Sequence, residues 1–197
     1  VNLVRRDLGE NPANLVWLWG PGSRAELPPL SSGGRKASLA AGTDLAKGIA
    51  RLMGMTVLSV PGATGDARSD LGAKAKAGLD SLDTHDLAVI HVEAPDEASH
   101  SGDPKAKVKA LERLDAEILG PALQAMGKAG GRLALVTDHL SSTDQRRHLE
   151  GEVPVALWGP GFVPRREGLA YDEPSAAQAD LCFEAGHEFL EYFLEHR

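Results

Sequence analysis

The amino-acid sequence predicts an α/β fold in which a mostly parallel sheet carries helices on both faces. The first observation is a series of short, continuously apolar runs, a composition typical of strands buried on both faces. The second is that amphipathic segments of helix length separate these runs, and alternating strands and helices favour parallel pairing. The third is that no linker long enough to divide the chain interrupts its 197 residues. We therefore expect one domain, or one large part of a domain.

The strands are predicted from apolar runs that end in glycine, proline or polar residues. The predicted strands cover residues 15–19, 56–60, 86–94, 131–138 and 153–159. The stretch 23–36, rich in serine, proline and glycine, is typical of a loop. The run at 86–94, DLAVIHVEA, is the clearest buried strand of the five.

The helices are predicted from apolar residues that recur every three or four positions. The predicted helices cover 43–54, 70–82, 105–128 and 180–197. Thr43 is a suitable N-cap for the first helix and Gly54 a suitable end. The face of this helix expected to point inward carries Leu45, Ile49, Leu52 and Met53. Pro121 is expected to break or kink the third helix.

The composition excludes several classes of protein. The net charge of −7 argues against nucleic acid as the main partner, because nucleic-acid binding usually shows as a basic surplus; a local basic pocket for a small anion stays open. No apolar run approaches the roughly 20 residues that span a bilayer, so we expect no membrane partner and a cytoplasmic location. The single cysteine, Cys182, rules out an internal disulfide and is expected to be a small buried group. The oligomeric state stays open.

Carboxylate and imidazole side chains follow two of the predicted strands, where ligands bind in open α/β sheets. Asp96 and His100 are four residues apart, so one helical turn would place them on the same face. Asp138 and His139 follow a later strand, and His148 lies in the next loop. Such mixed ligands suit Zn, Mn, Fe or Co better than Ca or Mg. Five of them indicate most of a two-metal site, a common arrangement for phosphoryl transfer.

The other polar candidates are assigned structural roles. Glu97, Asp103 and Asp144 are expected to be surface charges or helix caps. His91 falls inside a predicted strand and is expected to lie in the core or behind a ligand. The remaining histidines have polar or helical contexts and are expected to take no part in the site: His85, His187 and His196.

The stretch HVEAPDEASHSGD, followed by TDH and a later histidine, resembles the metal motifs of the alkaline phosphatase superfamily. Within it, the sequence is similar to the archaeal-type cofactor-independent phosphoglycerate mutases and their bacterial relatives, some of them described as proposed homoserine kinases. NPANLVWLWGPG, DLAKGIARLMGM and VPGATG also resemble this group. The resemblance runs from about Asn11 to the end of the chain.

The resemblance implies roles for individual residues. It implies that Asp96, His100 and His148 bind one divalent metal, manganese or zinc, and that a second metal is bound by Asp138 and His139. Lys36, in GGRKASLAAGTDL, falls where the mutases carry a lysine that contacts the transferring phosphoryl group. A cation there would offset developing negative charge; a solvated loop lysine is the alternative.

The sequence departs from the family pattern beside these ligands. Ser99 and Ser101 replace a glycine and an aspartate, while Leu140 and Leu149 replace a proline and a threonine. None of these departures removes a ligand.

Family members carry the serine nucleophile and a further aspartate near the N-terminus, followed by an inserted domain. The resemblance therefore implies that residues 1–197 are the C-terminal portion, without the nucleophile segment and the inserted domain. Ser31, Ser32 and Ser38 are interpreted as loop or helix-start residues and not as nucleophiles.

The implied function is the interconversion of 3-phosphoglycerate and 2-phosphoglycerate through a phosphoserine and two divalent metals. The partner is then a small phosphorylated substrate, and this portion alone is expected to be inactive. One alternative is another phosphoryl-transfer enzyme, a homoserine kinase or a phosphoesterase. The other is a non-catalytic metal-binding fragment or subunit.

Overall fold

The structure is a computed structural model that describes residues 1–18, 20–23, 25–30, 34–163 and 168–195. Trp19, Ser31, Ser32 and His196, which figure in the sequence analysis, lie outside the described residues. The helices are α1 (Asn2–Asp7), α2 (Asp44–Leu52), α3 (Leu71–Ser81), α4 (Ala94–Ser101), α5 (Pro104–Leu114), α6 (Gly120–Ala129), α7 (Glu173–Ala176) and α8 (Gly186–Glu195). The strands are β1 (Ala37–Ala40), β2 (Thr56–Val57), β3 (Leu87–Ile90), β4 (Leu133–Val136), β5 (Leu140–Ser142), β6 (Arg147–Leu149) and β7 (Val155–Trp158).

A parallel sheet with the strand order β2-β1-β3 positions the site. Its central strand β1 is buried along its whole length, yet the sequence analysis assigned no strand there. Ala and Ser have little intrinsic preference for strands, so pairing on both sides determines this conformation. The interpretation of Ser38 as a loop or helix-start residue is therefore wrong. Ser38 lies in β1, is fully buried, and its hydroxyl shares a 2.7 Å hydrogen bond with that of Ser81.

Helices cover both faces of this sheet, which confirms the predicted fold class. Neighbouring residues of a strand point to opposite faces. Leu39 packs against Ala50 of α2, whereas Ser38 contacts Ser81 of α3. α2 and α3 therefore lie on opposite faces of β1.

The predicted inward face of α2 is wrong, although its ends are confirmed. Thr43 is the N-cap, and Gly54, with φ of 72°, follows the C-cap. Leu45 and Ile49 are 77% and 44% exposed, because the sheet is contacted by the small residues Ala46 and Ala50. Small side chains let a helix approach a sheet closely. The volume of the side chains, and not their hydrophobicity, therefore determines which face of α2 packs against the sheet.

The predicted helix 105–128 consists of α5, a π-helical turn at Asp115–Leu119, and α6. The regular helix is interrupted just before Pro121, as predicted, because proline lacks an N–H and its ring crowds the carbonyl four residues earlier. The π turn accommodates it: the N–H of Gly120 donates to the oxygen of Asp115, five residues back. Asp103 caps α5 by accepting from the N–H of Ala106 at 2.9 Å.

The apolar runs 131–138 and 153–159 contain β4 and β7, as predicted, but they pair antiparallel. An apolar run predicts a strand but does not tell whether that strand pairs parallel or antiparallel with its neighbour. The hairpin of β5 and β6 was not predicted, because its residues are mostly polar.

Three further expectations are wrong. Residues 15–18 form no strand, and their side chains are at least 82% exposed; the described residues offer them no partner strand, which backbone polar groups require. Cys182 is exposed instead of buried, and α8 begins only at Gly186. In the part of the chain that the structure describes, every helix is too short or too polar to cross a bilayer.

Candidate metal centre

Two of the candidate ligands lie on α4, the short helix that follows the carboxyl end of β3. Pro95 in its first turn has a preset φ, and Asp96 there complements the positive end of the helix. Gly102, in the left-handed conformation with φ of 71°, ends the helix. The intervening turn places His100 directly above Asp96, with His100 Nε2 at 3.3 Å from Asp96 Oδ2.

A third candidate ligand reaches the same point from the β5–β6 hairpin. His148 Nε2 lies 3.3 Å from Asp96 Oδ1 and 3.1 Å from His100 Nε2. One ligand atom from each of the three side chains lies within 4.8 Å of the others. We call Asp96, His100 and His148 the metal triad.

The orientation of the two histidine rings in the triad suits the binding of a divalent cation. His100 Nδ1 lies 3.2 Å from the carbonyl oxygen of Arg146, to which only a protonated nitrogen can donate. A neutral His100 then directs the lone pair of Nε2 toward His148. Asp96 Oδ1 is buried, and no described residue forms a hydrogen bond with it, although His148 Nε2 lies 3.3 Å away. Two nitrogens and a carboxylate thus face one point, which a cation would satisfy.

Asp138 and His139 lie beside the triad. They follow β4, with the N–H of His139 donating to Asp138 Oδ1 at 2.9 Å. The His139 ring contacts that of His148 in a tilted arrangement, with centroids 3.8 Å apart and planes inclined by 32°. Among the described residues, this pair does not join a group of three potential ligands. The structure therefore brings all five predicted ligands to one region, but only three of them share a common point.

Lys36 is not brought to this region. It is exposed and directly precedes β1, whereas the triad lies beyond the carboxyl end of β3, which is parallel to β1. Its backbone N–H donates to Asp86 Oδ2 at 2.7 Å. Lys36 thus stands at the opposite edge of the sheet, and its assigned role stays a prediction.

Two other lysines lie at the carboxyl edge, and the sequence analysis missed both. Lys74 of α3 is only 1% exposed, and its Nζ donates to the carbonyls of Thr64 at 3.1 Å and His91 at 3.2 Å. Burial lowers the pKa of Lys74; the Glu93 carboxylate opposes this shift and the Lys47 ammonium adds to it.

The sequence carried a signal for Lys74 but none for Lys47. Lys74 occurs on the helical stripe of Leu71, Ala75 and Gly78, all buried or close to the sheet. Lys47 lies in α2, just after β1, and its Nζ donates to the carbonyl of Gly42 at 2.9 Å.

The carboxylates assigned structural roles are placed as expected. Asp103 caps a helix, and Glu97 and Asp144 are exposed. His91 follows β3, half-buried beside Lys74. His85 bonds Thr56 through Nε2 at 2.9 Å, away from the triad.

The fold and this edge define the class: an α/β protein that presents carboxylate and imidazole ligands beyond its parallel strands. The chain belongs to the Metalloenzyme superfamily, whose family model matches residues 6–184.

Among curated proteins, it is 36% identical to the 2,3-bisphosphoglycerate-independent phosphoglycerate mutase 2 of Methanothermobacter thermautotrophicus, over 99% of this chain and 48% of that protein. It is also 36% identical to a probable mutase of the same name from Geobacter sulfurreducens, over 97% of this chain and 48% of that protein. The chain thus spans about half the length of the curated relatives it matches.

Solved structures agree on the fold. A protein from Pyrococcus horikoshii superposes with a TM-score of 0.81 at 28% identity, over 90% of this chain and 46% of that chain. The cofactor-independent phosphoglycerate mutase of Thermoplasma acidophilum gives 0.59 at 21% identity, over 92% of this chain and 42% of that chain. The latter likeness shows the fold alone.

Proposed function

We propose that residues 1–197 are the C-terminal, metal-binding portion of a cofactor-independent phosphoglycerate mutase, which interconverts 3-phosphoglycerate and 2-phosphoglycerate through a phosphoserine. The observation that carries this proposal is the convergence of Asp96, His100 and His148 on one point, with the pair Asp138–His139 beside it. The names of the curated relatives support the substrate.

The triad would hold one metal and the pair Asp138–His139 would contribute to a second. Manganese and zinc suit these ligands, and such an ion, when bound, stabilises negative charge on phosphoryl oxygens. The chain's own part is orientation: the Arg146 carbonyl orients the His100 ring, and contact with the His148 ring orients that of His139.

The surroundings of the triad suit a small anionic substrate. An open surface concavity beside it is lined by Arg147, His148, Leu149 and Glu150. Lys47 and Lys74 place two ammonium groups at the same edge of the sheet. Positive charge there would favour a phosphate ester over a neutral substrate.

The nucleophilic serine would come from a segment outside residues 1–197, together with the inserted domain. Ser38 does not fill that role, since it is fully buried and hydrogen-bonded to Ser81. This portion alone is therefore proposed to bind metal without turning over phosphoglycerate.

The test is an assay of the full-length gene product, with ³¹P NMR to follow the conversion of 3-phosphoglycerate into 2-phosphoglycerate. We expect His100→Gln to lower kcat at least 100-fold, because loss of a ligand disturbs metal placement. His187→Gln is the matched control, since His187 is an exposed histidine on α8, and its activity should stay within twofold.

Each other outcome selects an alternative. Phosphorylation of homoserine, or hydrolysis of another phosphate ester, without conversion of phosphoglycerate would favour a different phosphoryl-transfer enzyme. Metal binding with no turnover of any of these substrates by the full-length product would favour the non-catalytic subunit. Robust mutase activity of residues 1–197 alone would contradict the proposed position of the nucleophile.

A further inference from the structure

A chain of hydrogen bonds runs behind the metal triad and joins three elements. Lys107 of α5 donates from Nζ to the carbonyl of Ser141 at 2.6 Å and to its Oγ at 3.3 Å. The Oγ atoms of Ser141 and Ser99 lie 2.9 Å apart. Ser99 in turn donates to the carbonyl of Pro95 at 3.0 Å.

The direction of the chain follows from its two ends. A lysine ammonium only donates, and a carbonyl only accepts. Ser99 gives its single proton to Pro95, so the bond between the hydroxyls is donated by Ser141. Each hydroxyl then donates once and accepts at least once, a pattern in which successive bonds polarise one another.

Every triad ligand neighbours one member of this chain. Asp96 follows Pro95 and His100 follows Ser99 in sequence, while His148 faces Ser141 in the β5–β6 register. The pairs of neighbours are Pro95 with Asp96, Ser99 with His100, and Ser141 with His148. A displacement of α4 relative to the hairpin would therefore break the chain of hydrogen bonds and, at the same time, move the metal ligands apart.

The hydrogen bond between the two serine hydroxyls is protected from water. Ser99 is fully buried and Ser141 is half-buried, so water does not readily replace the bond between them.

We propose that Lys107, Ser141 and Ser99 are positioning residues, which hold α4 against the hairpin so that the triad is assembled before a cation binds. The predicted effect on metal affinity rests on the proposed metal site. The geometry of the triad in the metal-free protein does not depend on that site, and a separate experiment tests it.

The experiment measures Mn²⁺ and Zn²⁺ affinity by calorimetry for the protein, Ser99→Ala and Ser141→Ala. Alanine favours a helix more than serine does, so Ser99→Ala should leave α4 intact. We expect affinity to fall about three- to tenfold, the equivalent of one buried hydrogen bond. Ser101→Ala, an exposed serine of the same helix, should stay within twofold. The double variant Ser99→Ala/Ser141→Ala should resemble either single variant, because one break severs the chain.

The second readout is the contact between the His100 and His148 rings in the metal-free protein. The centroids of these rings are 5.0 Å apart. We expect a nuclear Overhauser effect between the rings that weakens in Ser99→Ala and persists in Ser101→Ala. An unchanged ring contact in Ser99→Ala would overturn the proposal, even if the melting temperature fell. If the protein binds neither metal, the metal site fails and the ring contact alone decides the positioning role.

Discussion

Replacement of Lys74 by methionine probes the buried ammonium that joins α3 to the edge of the sheet. Methionine has a similar unbranched shape, so packing is preserved while the charge and donors are lost. The carbonyls of Thr64 and His91 lose their donor, at about 1–3 kcal/mol for each. Burying the ammonium charge is itself unfavourable, so its removal offsets part of this loss. We expect Lys74→Met to lower the free energy of unfolding by about 2–4 kcal/mol.

The assay is urea denaturation followed by circular dichroism, analysed by linear extrapolation. Lys76→Met is the matched control, since Lys76 lies on the same helix with its side chain 75% exposed in an ion pair with Asp80. A surface pair contributes little, so this variant should stay within about 0.5 kcal/mol of the parent.

The pH dependence gives a second, independent result. The pKa of Lys74 is lowered in the folded state, so between its folded and unfolded values the unfolded chain binds more protons. Stability must then rise with pH across that window, below the pH at which an unfolded lysine titrates. The difference between the parent and Lys74→Met should show this rise. Equal stability and equal pH slopes for both proteins would refute the burial of Lys74.

Two further predictions concern the packing that supports the site. Gly42→Ala should destabilise the protein by about 3 kcal/mol or more in the same urea assay, because the added Cβ would lie 2.1 Å from the backbone oxygen of Thr64. Gly48→Ala, where the Cβ meets nothing within 4 Å in the middle of α2, should be neutral or stabilise by up to about 1 kcal/mol; the opposite order of the two would contradict the packing. Leu71→Ala should cost about 2–5 kcal/mol by thermal unfolding, since Leu71 is 1% exposed beside Ile118, and a loss below about 1 kcal/mol would be inconsistent with that core.

The sequence predicted the elements whose signals are local. Strands β3, β4 and β7 arise from continuous apolar runs, and α3 begins after Asp70, whose side chain accepts from the N–H of Ala73 at 2.8 Å. Four of the candidate ligands, Asp96, His100, Asp138 and His139, were found because polar residues follow buried strands. That rule needs only the end of each strand and not the order of strands in the sheet.

The features that depend on tertiary pairing could not be predicted. β1 has a strand conformation because it lies between two partners, not because Ala37–Ala40 favour one. Without β1, the sequence gives no way to see that Lys36 precedes a strand and Lys47 follows it. The exposed run 15–18 shows the converse, since apolar residues without a neighbouring strand do not make one.

The central claim is that Asp96, His100 and His148 share one cation. Anomalous diffraction at the zinc or manganese edge, from crystals grown with that ion, tests it directly. The account predicts a peak about 2.0–2.2 Å from both Nε2 atoms and an Asp96 oxygen, and its loss in His100→Gln. A map with no peak at this point, or one that stays unchanged in His100→Gln, would contradict the account.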